Sequence, residues 1–153
     1  MYDRAARVLV GLIALTALGL GFWAAFDPRG FYLNFPGGGR HWVSADGPYN
    51  EHLVRDFGAL NLALASVALV ALWRPVRELL IAVAVSNIVF DVPHLVYHLR
   101  HLDVYDTSDK IANVVSLSAG LLLPVLLLAL AIRGDRSAAR LPAERTAPVN
   151  ASV

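Results

Sequence analysis

Asp91, His94, His98 and His101 follow one another at intervals of 3, 4 and 3. Residues three and four apart share one face of an α-helix. In helical form these four make a single polar stripe, and Asn87, four residues before Asp91, lengthens it by a turn. Imidazoles bind metals and carry protons near neutral pH, and carboxylates can do both beside them. A second set, Glu51, His52, Arg55 and Asp56, falls in one short stretch of the chain. Metal centres in helical bundles take a carboxylate and a carboxylate-x-x-His pair from facing helices. Asp91 and His94 would supply such a pair, with His98 one turn on and His52 and Asp56 opposite. Glu51 and His101 would stand at the periphery. These ligands suit zinc, iron or copper. A haem held between His52 and either His94 or His98 is a weaker variant, because no second histidine pair exists.

The elements that must position these residues are apolar. Residues 8–26, 57–73, 79–99 and 111–132 are rich in Leu, Val, Ala and Ile, and charge is almost absent from them. A helix of about 20 apolar residues crosses a ~30 Å hydrocarbon layer. Inside a bilayer every backbone group must bond within its own segment, which makes these segments helices. The expected fold is all-α: a polytopic membrane protein with a four-helix transmembrane bundle over residues 1–132. Its helices cover about 5–26, 52–73, 78–101 and 110–132. Residues 133–153 are Ala-, Arg- and Pro-rich without apolar period, and read as a disordered cytoplasmic tail. A soluble bundle is disfavoured because no segment offers water a wide polar face. The first segment is too long for a cleaved signal peptide and no Ala-x-Ala site ends it.

Composition supports the same class. Apolar residues make up 57% of the 153 and charged ones 16%, against about 45–50% and 25% in soluble domains. Net charge is +1, so nothing here favours a nucleic-acid partner. There is no cysteine, which removes disulfides and thiolate chemistry. With the N-terminus inside, eight Lys/Arg flank the helices on the inner side and five on the outer. That predicts an inner (plasma) membrane protein with both termini cytoplasmic. The loop 27–49 is then outer. It carries Phe31, Tyr32, Phe35, Trp42 and Tyr49 and is expected to fold over the bundle end. Gly37, Gly38 and Gly39 read as a turn. Asn50 reads as the cap of the second long helix and Glu51 as the acid that complements its dipole.

Connectivity brings the two polar sets together. The second long helix starts, and the third ends, at the same end of the bundle. Asp91 is the deepest ionisable group and Arg55 is the expected cation for it. Three readings follow. The cluster binds a metal or small ligand, for example as a redox accessory. It fixes helix packing alone. Or Asp91 and His94 do acid–base chemistry in a small membrane enzyme. A transporter is disfavoured, since four helices are few and no inverted repeat is visible; a homodimer or larger membrane complex would relax that objection.

The segments "GRHWVSADGPYNEHLVRDFGALNLALA" (39–65) and "PHLVYHL" (93–99) resemble one actinobacterial group of small four-helix bacterial membrane proteins, broadly DoxX-like. The resemblance covers nearly the whole chain except the tail. It implies a membrane bundle and no activity.

Overall fold

The computed structural model describes residues 4–138. Four long helices dominate it: α1 (Arg4–Phe26), α4 (Glu51–Trp73), α5 (Arg77–Arg100) and α6 (Thr107–Ala138). Each is long and apolar enough to cross a membrane. Between α1 and α4 lie the short helices α2 (Pro28–Asn34) and α3 (Trp42–Asp46), separated by a two-stranded hairpin, β1 (Pro36–Gly37) and β2 (Arg40–His41). A short 3-10 turn, Leu102–Val104, joins α5 to α6. The all-α four-helix architecture is therefore the one the apolar periodicity implies. α6 continues to Ala138 instead of stopping near 132. The remainder of the expected tail, 139–153, lies outside the described residues.

The helix ends follow local chemistry. Asn50 caps α4 by accepting the Leu53 N–H at 3.1 Å, one of the donors that a helix start leaves without a partner. Asp27 caps α2 through the Gly30 N–H, with Pro28 at the first helical position, where its missing N–H costs nothing. Asp106 accepts the Asp109 N–H at 2.8 Å at the start of α6. These backbone bonds hold its carboxyl below the usual carboxylate range.

Packing is uneven along the bundle. α1 lies against α4 most extensively, and α5 against α6. At the end where α4 turns tightly into α5, all four helices meet in one core that includes Val10, Ala68, Leu80 and Leu127. At the other end, here called the loop end, α2 and its neighbours cover the bundle around Ala24, Phe31 and Val54. Between these cores the two helix pairs stand apart enough to leave two cavities.

The α1–α4 contact is close because it is built from small residues. α1 buries Ala17, Gly21 and Ala24, and α4 buries Val54, Gly58, Asn61, Ala65 and Ala68. A Cβ on Gly58 would lie 2.4 Å from the Ala25 backbone nitrogen. The backbones approach closely, which is the role small residues play between membrane helices. The outward faces carry Leu15, Phe22, Leu60, Val70, Val89 and Leu122, all substantially exposed. An apolar belt of this kind suits lipid as its solvent.

Candidate functional site

Loop 27–50 supplies the aromatic lid. Phe31 of α2 is buried, with ring centroids 5.5 Å from Trp23 and 5.6 Å from Phe57. The hairpin reverses at Gly38 and Gly39, whose φ values are 64° and 79°. Two successive positive φ angles are what a tight two-residue hairpin turn needs. The turn brings Trp42 back onto the bundle, where its backbone N–H donates to the Phe35 carbonyl at 2.9 Å. Its ring is 6.0 Å from that of Phe35, edge-on. Two ties hold the lid to the far helix pair. Arg40 pairs with Asp109 at the start of α6, and the Tyr105 hydroxyl donates to the Trp42 carbonyl at 3.1 Å.

Beneath this lid lies a cavity of about 510 Å³. Phe31, Phe35, Trp42 and Phe57 form its aromatic walls, and His94, His98 and Asn113 line it from α5 and α6. Asp46 and Tyr97 complete the wall and stand 3.5 Å apart, the outer limit of a hydrogen bond. On α5 the rings form a ladder. Phe90 stacks on His94 at 5.4 Å, and His94 meets His98 edge-on at 4.7 Å. Three polar atoms of this lining are buried without a hydrogen-bond partner among the described residues: Trp42 Nε1, His98 Nδ1 and Asn113 Oδ1. A second cavity, about 410 Å³, lies deeper. It shares Leu20 and Ser116 with the first, and Asn61, Asn87 and Asp91 line it.

The stripe on α5 is thus divided. Asn87 is buried, Asp91, His94 and His98 are half-buried, and His101 is exposed. His101 stacks on Tyr97 with centroids 4.1 Å apart and bonds the Tyr97 carbonyl through Nδ1. Asp91 faces the deep cavity, whereas His94 and His98 face the upper one. The acid–base pair Asp91 and His94 is therefore split between two chambers.

Two expectations fail. The facing set on α4 does not meet the stripe. His52 and Asp56 pair with each other at 3.4 Å, with side chains 86% and 62% exposed. Among the described residues no group of three or more His, Asp and Glu side chains could hold one metal ion. The set His52, Asp56, Asp91, His94 and His98 is therefore not gathered into one ligand sphere among the described residues. The reason is the rotation of α4. Its inward face is fixed by Val54, Gly58 and Asn61, and at 100° per residue His52 and Asp56 lie well off that face. Arg55 likewise does not serve Asp91. It bonds Glu51, one turn back, at 2.8 Å, and its other arm reaches the Ala25 carbonyl on α1. Arg55 sits in the first turn of α4, whereas Asp91 lies nine residues inside the end of α5, about 14 Å at 1.5 Å per residue.

The residues missed from sequence are Trp42, Asp46, Asn61, Tyr97, Asn113 and Ser116. Asn61 had a signal: it falls in register with Val54, Gly58, Ala65 and Ala68 at spacings of 4, 3, 4 and 3. A polar residue on an otherwise small, apolar face is an inward one. Trp42 was legible only as one aromatic of a loop expected to fold over the bundle end; the folded loop alone places it in the same cavity lining as His98 and Asn113.

Burial pushes the Tyr105 phenol up to about 12, helped by the negative charge of Asp46 and Asp109 nearby. The neutral phenol is the folded form. Its contribution to stability is complete below about pH 10, the ordinary value, and is lost as pH rises toward 12. Tyr105→Phe is expected to flatten the alkaline limb of a stability–pH curve relative to wild type. Below pH 9 it costs about 0.5–1.5 kcal/mol for the lost bond to the Trp42 carbonyl. Thermal unfolding from pH 8 to 11.5 checks it, and parallel curves for the two proteins would refute it.

Comparison of the chain with protein-family models, with curated proteins and with solved structures finds no match.

Proposed function

We propose that this is a multi-pass plasma-membrane protein, both termini cytoplasmic, that binds a small lipid-soluble molecule with a polar end in the cavity at the loop end. One observation carries the reading. Trp42 Nε1, His98 Nδ1 and Asn113 Oδ1 come from three separate elements, lack protein partners among the described residues, and belong to one cavity lining. A buried polar atom without a partner costs about 1–3 kcal/mol. Three around one aromatic-walled space of about 510 Å³ fit the pattern of small-molecule sites, which are apolar with a few convergent polar groups. An indole N–H can only donate and an amide oxygen can only accept. The complementary ligand therefore carries an acceptor and a donor on a flat apolar body.

The alternative of a polar network that only fixes helix packing calls for bonds between helices. Asn87 donates to the Val83 carbonyl of its own helix. Asp91, His94 and His98 make no side-chain hydrogen bond to another helix among the described residues. The stripe therefore does little of the work that reading requires. The positive charge at the α4–α5 turn, Arg74 and Arg77, supports the orientation.

The test is mass spectrometry of solvent extracts from protein purified in mild detergent. Wild type is expected to carry one lipid-soluble species near one equivalent. His98→Leu combined with Asn113→Leu should reduce it at least tenfold, and Trp42→Phe should reduce it while leaving the fold intact. Equal loading of all three proteins, or no stoichiometric species in wild type, would sink the proposal.

A further inference from the structure

The deeper cavity has a chemistry of its own, and it does not depend on what the upper one binds. Asn61 of α4 is 3% exposed and Asn87 of α5 is 8% exposed. Each gives one of its two amide N–H groups to its own helix. Asn61 Nδ2 donates to the Phe57 carbonyl at 2.9 Å, and Asn87 Nδ2 donates to the Val83 carbonyl at 2.8 Å. That fixes both amides by their donors and leaves both Oδ1 atoms as acceptors without a partner among the described residues. Ser116 is oriented in the same way: its hydroxyl donates to the Asn113 carbonyl at 3.0 Å, which leaves its oxygen lone pairs over. Pro124 lies within α6 and has no N–H for the carbonyl four residues earlier, that of Gly120. Gly120 and Pro124 both line this cavity, and a Cβ added to Gly120 would meet nothing within 4 Å.

Asp91 opens onto the same space. The lining residues therefore carry one carboxylate, two amide oxygens, the hydroxyls of Thr16 and Ser116, and at Gly120 the carbonyl that proline leaves without its usual donor. Its described residues include no Lys, Arg or His. A proton on Asp91 would supply a single donor and satisfy one of these acceptors. A cation can be shared by several acceptors at once.

We infer that this mid-depth cavity is a binding site for one hard monovalent cation of the sodium type, held by Asp91 with Asn61, Asn87, Ser116 and the Gly120 carbonyl. Oxygen-only ligation selects hard cations over transition metals. One carboxylate balances one positive charge, and a divalent ion would leave excess charge in an apolar setting. In membrane transporters, backbone carbonyls freed from helix hydrogen bonding are among the groups that coordinate sodium.

The experiment uses the full chain in detergent, at pH 8 and constant ionic strength, with choline chloride as the inert salt. Equilibrium dialysis with radioactive sodium is expected to show saturable binding near one ion per chain. Asp91→Asn should abolish it, and Asn87→Leu should weaken it at least tenfold. Should either variant fail to fold, wild type alone decides through a second readout. A hydrophobic carbodiimide should modify Asp91, and sodium should slow that reaction several-fold where choline does not. Non-saturable sodium uptake, binding unchanged in a folded Asp91→Asn variant, or labelling of Asp91 that is indifferent to sodium would each overturn the site.

Discussion

Gly58→Ala is expected to destabilise the bundle by about 2 kcal/mol, although alanine is the better helix former. Helix propensity alone favours the change by about 1 kcal/mol. Packing opposes it more strongly. The new Cβ would stand 2.4 Å from the Ala25 nitrogen and 2.9 Å from the Ala24 carbonyl carbon. These are backbone atoms of a packed helix and have no rotamer to escape into, so α1 and α4 must move apart. Overpacking of this kind costs about 1–3 kcal/mol, and here it also separates the largest helix pair in the bundle. Gly19→Ala is the control, since its Cβ meets nothing within 4 Å. It should be neutral or stabilising. Gly21→Ala should fall between the two, because its closest neighbour is the flexible Leu62 side chain at 2.8 Å. Unfolding of the three variants in a common detergent ranks them. A Gly58→Ala protein as stable as Gly19→Ala would show that the helices do not approach as closely as described.

Trp42→Ala should cost about 3 kcal/mol and release the lid. Trp42 is 7% exposed, and large-to-small changes at buried aromatic positions cost about 3–5 kcal/mol. The lower end applies because the site lies at the bundle's rim and can partly collapse. The indole packs against Phe35 and stands over the upper cavity. Trp42→Phe separates shape from polarity. It keeps an aromatic ring and removes an N–H that has no partner among the described residues. Its stability should stay within about 1 kcal/mol of wild type, since an apolar replacement of an unsatisfied group is close to neutral. Hydrogen exchange across residues 27–50 reads the release directly. Protection there should fall in Trp42→Ala and persist in Trp42→Phe. Equal protection in both would place the lid's anchor elsewhere, at Phe31 or at the Arg40–Asp109 pair.

Much of this molecule could be read from its residues alone. The four long helices begin and end within about three residues of the expected limits 5–26, 52–73, 78–101 and 110–132, except where α6 runs on to Ala138. The Asn50 cap and the glycine turn were equally plain, because each depends on neighbours close in sequence. Periodicity also placed Asn87, Asp91, His94 and His98 on one inward side of α5. Which residues would face them could not be read in the same way. Spacing groups residues into faces, but the face that turns inward is settled where backbones touch. Gly58 against Ala25 sets the rotation of α4. That rotation sends His52 and Asp56 outward, turns Arg55 to Glu51 and the Ala25 carbonyl, and brings Asn61 in. A folded loop then adds Trp42, and α6 adds Asn113 and Ser116. The sequence determined that polar groups line the inside of an apolar bundle. Only the close packing of α1 on α4 decided that they divide into two cavities.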